Sequence, residues 1–483
     1  MRCLPLALLA LFKAALFLPA LAQSDGVISG TEVAVPLLPD EVLQSSATSF
    51  PDILESLARE AAARGDQLAA EGAFDLVFNA DGFDRVTGFW TGGVVNTELR
   101  QNLRPLGAQV YGGYRISDGT FPIYEDINFT NTGGEFKVGA LFSLLRNRSI
   151  DQRRFRVEDA RLASAQANLE VTLTQVGVQQ QVLNAYWRWF AFGNELRIYR
   201  DLLKIAQDRA EGLEEQVRRG AQPDIAVTEN LQNIIRREIL VTEAERNFTV
   251  ASNALSFFLR DPSGNLIVPG LERLPSPEQL GSLDDLATIV ETDTSDVLDS
   301  RPELRSLRVA MERARNKVQL GENDLRPNLD LNVEVSRDVG AIAEGGESRD
   351  STDTIIGFRF SVPLQRRDAR GRLQRAEAEL RAAQLRERRT EDQITVELGN
   401  ILTNLDAALK LANLASGEVS QAEIMVEAER RRFGLGASDF FLVNVREERA
   451  ADARIRAIRA ELNGRLAAAS YNAATMNLSE LGL

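Results

Sequence analysis

The side chains that ordinarily carry out catalysis are nearly missing from this chain. No histidine occurs among 483 residues, and the one cysteine is Cys3. The usual ligands for zinc, copper and haem are therefore lacking, and so is the imidazole of a triad hydrolase or an acid-base enzyme. No catalytic residue, cofactor or metal is expected. Acidic residues outnumber basic ones by 70 to 56, a net charge of -14, which disfavours nucleic acid as a partner. The same balance suits long helices that must stay solvated. Three of the acids follow closely on two glycine turns: Asp224 and Glu229 after Gly220, and Asp439 after Gly436. An acid just past a turn complements the start of the next helix.

Those two turns define the elements around them. Val217-Arg218-Arg219-Gly220-Ala221-Gln222-Pro223-Asp224 and Arg431-Arg432-Phe433-Gly434-Leu435-Gly436-Ala437-Ser438-Asp439 each interrupt a long helical pattern, and their glycines lie 216 residues apart. The helical run before the first covers residues 151–220 and the run before the second residues 368–436, or 69 and 68 steps; each is followed by 41 more, to Asp261 and Asn477. Matching punctuation at matching intervals reads as a duplication. Unbroken, each long helix would extend about 100 Å at ~1.5 Å per residue. Alanine-rich faces, with Ala160, Ala163 and Ala167 in one and Ala376, Ala382 and Ala383 in the other, allow close packing. Gly220 and Gly436 supply the positive φ that a reversal between antiparallel helices requires.

The repetition starts further upstream. Phe50-Pro51-Asp52-Ile53 and Arg301-Pro302-Glu303-Leu304 both place proline at a first helical turn beside an acid, which predicts helices over residues 51–72 and 302–324. Strand-like alternation follows each. In the second copy it runs from Asn328 to Val335 and again from Ile355 to Leu364, around a polar loop at residues 340–352. Arms of about 11 residues are long enough to cross a bilayer as tilted strands. One parity is apolar, while Asn332, Glu334 and Arg359 face the other way. The first copy has an opening strand at residues 74–83 and a closing strand at 135–145, but its span exceeds that of the second copy by 35 residues. Residues 91–103 and 107–116 in this insertion form a further hairpin, whose place inside or outside the sheet stays open. Trp90, Tyr111, Tyr114 and Phe121 fit either an interfacial aromatic girdle or a small cluster under a loop.

At the amino terminus, Arg2, the apolar run Leu4 to Leu18 and Ala20-Leu21-Ala22 form the pattern of a secretory signal peptide. A membrane anchor is the rival reading, but the run is short and contains Lys13. Cleavage after residue 22 would remove Cys3 and leave no disulfide. Four to six strands are too few for even the smallest barrel, and an open sheet edge cannot face lipid. Several chains must therefore share one barrel. Arg146, Arg148, Arg153, Arg154 and Arg156, with Arg366, Arg367, Arg370 and Arg372, cluster where strands pass to helices, fitting anionic headgroups or ion pairs between subunits.

The whole chain after the signal peptide resembles the TolC-like outer-membrane efflux family (outer membrane factors). The likeness rests on tandem units of strand hairpin and long helix, the Pro-Asp-Ile and Pro-Glu-Leu helix starts, Leu325-Arg326-Pro327-Asn328-Leu329 entering a strand and Phe360-Ser361-Val362-Pro363-Leu364 leaving one. Arg432-Phe433-Gly434-Leu435-Gly436-Ala437-Ser438, followed by Phe-Phe-Leu, is its most specific part. The resemblance implies a mixed α and β membrane protein. A transmembrane β-barrel shared between subunits, twelve strands from a homotrimer giving four each, would continue into a long periplasmic α-helical coiled-coil tunnel. It implies a passive outer-membrane exit duct of a tripartite efflux or type I secretion system in a Gram-negative bacterium. Its partners would be a periplasmic adaptor (membrane fusion protein), an inner-membrane transporter and outer-membrane lipid. Residues 1–22 would be the signal peptide, 23–261 the first repeat, 262–300 an equatorial connection and 301–483 the second repeat.

The resemblance also assigns roles to the tips. Gly220, Ala221, Gln222, Gly436, Ala437 and Ser438 would meet the adaptor. Family members often carry a carboxylate a few residues past the second tip glycine, whereas this chain reads Phe440-Phe441-Leu442-Val443-Asn444-Val445 there. The candidates for an acidic tunnel gate are then Asp224, Glu229 and Asp439. The alternative from another class is a periplasmic coiled-coil scaffold or adaptor without transport.

Overall fold

A computed structural model describes residues 35–281, 294–343 and 351–483. The expected signal peptide, part of the connecting segment and part of the loop at 340–352 lie outside the described residues. In chain order the elements are α1 (Pro39–Ser49), α2 (Pro51–Glu71), β1 (Leu76–Phe83), β2 (Gly93–Asn102), β3 (Gln109–Asp118), β4 (Glu135–Ser143), α3 (Gln152–Arg218) and α4 (Ile225–Ser256). There follow α5 (Thr294–Ser300), α6 (Pro302–Asp324), β5 (Asn328–Asp338), β6 (Thr352–Ser361), α7 (Arg367–Gly434) and α8 (Phe440–Ala474). Among the described residues no helix is long and apolar enough to cross a membrane.

Local chemistry sets these boundaries. Pro51 and Pro302 occupy first-turn positions of α2 and α6, where the missing N–H costs nothing. The Asp151 carboxylate accepts from the backbone N–H groups of Arg153 and Arg154 and starts α3, satisfying donors that a helix start leaves orphaned. The long helices are continuous over 67 and 68 residues.

The six strands form one sheet in sequence order, β1-β2-β3-β4-β5-β6, antiparallel throughout. Four strands per chain, as the resemblance implies, is corrected to six: the inserted hairpin is β2 and β3, with β2 paired to β1 over eight residues and β3 to β4 over seven. Register gives the sheet two faces, because side chains alternate along each strand. Phe78, Leu99, Val138 and Val335 share one row, with Gly112 between Leu99 and Val138. Asn79, Glu98, Lys137 and Ser336 share the adjacent row on the opposite face. The candidate aromatic girdle divides. Phe121 packs against Phe129 and Val94 in a small cluster, Tyr114 lies beside Phe136 on the apolar face, and Tyr111 sits on the polar face.

Next to the sheet the helices lie side by side as α2, α3, α6 and α7; toward the tips the order is α4, α3, α8 and α7. The main apolar core lies between these two zones. Tyr186, Trp187, Trp189 and Phe190 of α3 meet α1, α2, α4, α8 and the segment after α4 there. Trp189 is fully buried, and the Tyr186 hydroxyl donates to the Leu37 carbonyl at 2.9 Å. Burial of that phenol raises its pKa far above the ordinary tyrosine value.

Arg146, Arg153, Arg154 and Arg372, of the arginines between strands and helices, are engaged within the chain. Arg146 and Arg372 both pair with Asp324, at 3.0 and 3.1 Å. Arg154 pairs with Asp151 at 3.0 Å and donates to the Arg104 and Arg148 carbonyls. These bonds lash the foot of the sheet to the tops of α3, α6 and α7.

Candidate functional site

The lower ends of the two helical hairpins close with the same backbone device. In the first, Gly220 has φ +74°, its N–H donates to the Val217 carbonyl at 2.8 Å, and the Ala221 N–H donates to the Gln216 carbonyl at 2.9 Å. In the second, Gly436 has φ +74°, its N–H donates to Phe433 at 2.9 Å and that of Ala437 to Arg432 at 2.9 Å. This pair of bonds is the Schellman closure, which needs a left-handed residue at C′ and therefore selects glycine. No atom lies within 4 Å of a β-carbon built at either glycine, so conformation and not crowding demands them.

The two tips lie together. Leu213 of α3, Ala226 of α4 and Phe440 of α8 form a buried cluster with Phe433 of α7 packed against it. The Arg209 guanidinium lies 5.4 Å from the Phe440 ring. Ala221, Gly436 and Ala437 are exposed, and Gln222 and Ser438 are half-buried.

Of the acids expected at the gate, Asp439 is committed as a helix cap, its carboxylate accepting from the Leu442 N–H at 2.8 Å. Asp224 is exposed and makes no side-chain capping bond to α4; Glu229 is half-buried one turn further on. Among the described residues no group of acids is placed to hold a metal.

The charged site that the tips do contain lies on residues not singled out from the sequence. Glu447 of α8, its side chain 2% exposed, accepts from Arg209 of α3 at 2.6 Å and from Arg430 of α7 at 3.0 Å. The fully buried Arg237 of α4 lies 3.6 Å away and donates to the Leu202 carbonyl of α3 at 2.8 Å. One carboxylate thus pins α8 to three other helices. Burial pushes the Glu447 carboxyl upward, but hydrogen bonds and charge from Arg209 and Arg430 outweigh it and hold it below the usual carboxylate range. Arg237 is drawn down by burial against the pull of Glu447, and a guanidinium starts so high that it stays charged. Nearer the second tip, the Ser438 hydroxyl donates to buried Glu429 at 2.5 Å, with Arg432 3.4 Å from the same carboxylate.

The motif resemblance is matched by comparison with known proteins. Residues 294–477 fit the family model described as outer membrane efflux protein. No curated protein sequence matches the chain. Solved structures do. The CmeC outer membrane channel of Campylobacter jejuni is 12% identical, with 97% of this chain and 98% of that chain covered and a TM-score of 0.61. The open state of the MtrE outer membrane channel of Neisseria gonorrhoeae is 14% identical over 92% and 93%, TM-score 0.60. The outer membrane protein VceC of Vibrio cholerae is 16% identical over 90% and 95%, TM-score 0.60. The family model thus matches the second part of the chain, and the chain has the fold of these solved structures along nearly its full length.

Proposed function

With an efflux-protein family match in its second part and an outer-membrane-channel fold as premise, we propose that this chain is one subunit of a passive exit duct through the outer membrane of a Gram-negative cell. The observation that carries the reading is a two-faced antiparallel sheet with two open edges, set above helical hairpins long enough to reach well into the periplasm. Six strands cannot close a barrel in one chain, and an unpaired edge in hydrocarbon leaves several kcal/mol per unsatisfied group. β1 and β6 run in opposite directions, so the β6 edge of one copy can pair antiparallel with the β1 edge of the next. The helical flanks support the same closure. On α4, Leu231, Ile235 and Ile239 are exposed at helical spacing, and on α7 so are Leu411 and Leu414. These two helices form opposite margins of the lower layer, where a neighbouring copy would cover them. Three copies, as the family resemblance implies, would form the ring, with the two repeats of each chain supplying its halves.

In this reading solutes move down gradients maintained by an inner-membrane transporter, and the exposed tips at Gly220–Gln222 and Gly436–Ser438 receive a periplasmic adaptor. The test is reconstitution in planar bilayers. Detergent-extracted protein is expected to form heat-modifiable oligomers that open discrete conductances. A detergent-free soluble monomer without conductance would establish the scaffold reading instead. The acidic gate has its own test. Neutralising Asp224, Glu229 and Asp439 together, as Asn, Gln and Asn, should lower cation selectivity; unchanged selectivity dismisses the gate and leaves Asp439 as a cap.

A further inference from the structure

We infer that the inserted β2–β3 hairpin is part of the membrane wall, so that each copy supplies six strands and three copies close an eighteen-stranded barrel. The inference rests on the exit-duct reading and concerns what the insertion does within it.

Three observations carry it. The first is depth. β2 and β3 are level with their neighbours: Leu99 is opposite Phe78 on β1 and Gly112 on β3, and that row continues to Val138 and Val335. A hairpin that decorated the outer mouth would pair with its neighbours only near the strand ends, but β2 pairs with β1 over eight residues and β3 with β4 over seven. The second is the continuity of the two faces. Val95 and Leu99 point to the side that carries Phe78 and Val138, and are about half exposed, at 52% and 46%. Asn96, Glu98 and Arg100 point to the other side. A solvated ornament has no reason to repeat this division in register with its neighbours, whereas a strand between lipid and a watery lumen must.

The third is the lacing of the polar face across the inserted strands. The Tyr111 hydroxyl of β3 donates to Glu334 of β5 at 2.5 Å and also reaches Asn332 at 3.2 Å. It passes over Gly139 of β4, where any β-carbon would collide with the tyrosine ring. One row away, Lys137 of β4 lies 3.7 Å from Glu98 of β2, passing over Gly113 of β3. Glycine in the middle strand lets side chains two strands apart meet, so the hairpin is bound to both β4 and β5. The charges Glu98, Arg100, Lys137 and Glu334 then line the lumen.

The width also agrees. Six strands spaced ~4.8 Å and tilted ~40° span about 38 Å of circumference, the same as four helices spaced ~9–10 Å, whereas four strands at that tilt would span only about 25 Å. Four helices, α2, α3, α6 and α7, lie directly beneath the sheet. The wall therefore continues from strands to helices without a step, whatever the number of copies.

Spin labels test this in the full chain with Cys3→Ser, reconstituted in phosphatidylethanolamine and phosphatidylglycerol vesicles. Single cysteines replace Val95 and Asn96 on β2, and Val333 and Asn332 on β5. Leu99→Cys and Arg100→Cys give a second pair on β2, and only variants that retain the oligomer are compared. Oxygen should relax the labels at 95, 99 and 333 several-fold more than a nickel chelate does, and the preference should invert at 96, 100 and 332. Alternation on β5 with nickel access at every β2 position would place the hairpin outside the membrane and overturn the inference alone. Absence of alternation on β5 as well would overturn the exit-duct reading and the inference with it.

Discussion

The two helical hairpins share a length, a direction and a tip closure, yet they are held by different means. α3 buries aromatic residues in the chain's own core, and α4 closes on it through Val241, Ala244, Phe248 and Leu255. α7 buries Ala369, Ala376 and Ala383, spaced by seven, and leaves Leu414 71% exposed. Its links to α8 include the exposed pairs Glu423–Arg454 and Glu418–Arg456, which contribute little singly. Both hairpins leave an apolar margin exposed, Leu231, Ile235 and Ile239 on α4 and Leu411 and Leu414 on α7, but only the first carries the aromatic core. Two hairpins of matching geometry can therefore differ in task, the first holding the subunit's aromatic core and, in the proposed ring, the second contributing mainly a margin to the neighbouring copy.

Substitutions at the two hairpins should separate these tasks. Trp189→Ala, in the first, is expected to cost about 3–5 kcal/mol through the cavity it opens and to prevent recovery of folded subunits, read by thermal unfolding. Leu414→Ala, in the second, should leave subunit unfolding unchanged and weaken the oligomer, read by the heat needed to dissociate it. Equal loss of subunit stability from both changes would break the distinction.

Glu447 joins the hairpins, and its replacement should have the next largest effect. Glu447→Gln leaves buried Arg237 uncompensated, at a cost of about 3 kcal/mol, and amide exchange should quicken at the lower ends of α3, α4, α7 and α8 together. Because its folded carboxyl titrates below the ordinary glutamate value of about 4.3, its contribution is fully present above that value and is lost only as pH falls through the lower folded one. Exchange protection around residues 443–451 should therefore persist from pH 7 to about 5, and fade under stronger acid. Loss of protection between pH 6 and 5 would contradict the assignment.

The smallest effects belong to the tips. Gly220→Ala and Gly436→Ala should each cost about 1–2 kcal/mol, since alanine disfavours the left-handed backbone both positions require, and equal costs would show that the closures are alike. Asp439→Ala should add about 1 kcal/mol by removing a cap, whereas Asp224→Ala, at a position with no such bond, should cost less.

How much of this was legible depended on whether the signal lay along the chain or across it. The proline-marked starts of α2 and α6, the alternation of β5 and the tip glycines are local patterns, and the structure has elements there. The helix α1 was passed over because Pro39 opens only 11 residues, with three of them buried. Whether β2 and β3 joined the sheet depended on register with β1 and β4, which alternation within one hairpin does not specify. The Glu447 site left no trace in spacing, because its partners come from positions 209, 237 and 430 on three other helices. The arginines near the sheet were visible, but not their choice of Asp324, an acid on a different element.

The central claim, that copies of this chain complete one another, is tested most directly by native mass spectrometry of the detergent-extracted protein. The account expects a complex of three chains that survives removal of the micelle in the gas phase. A single chain, equally monodisperse when detergent is omitted from the extraction, would contradict it.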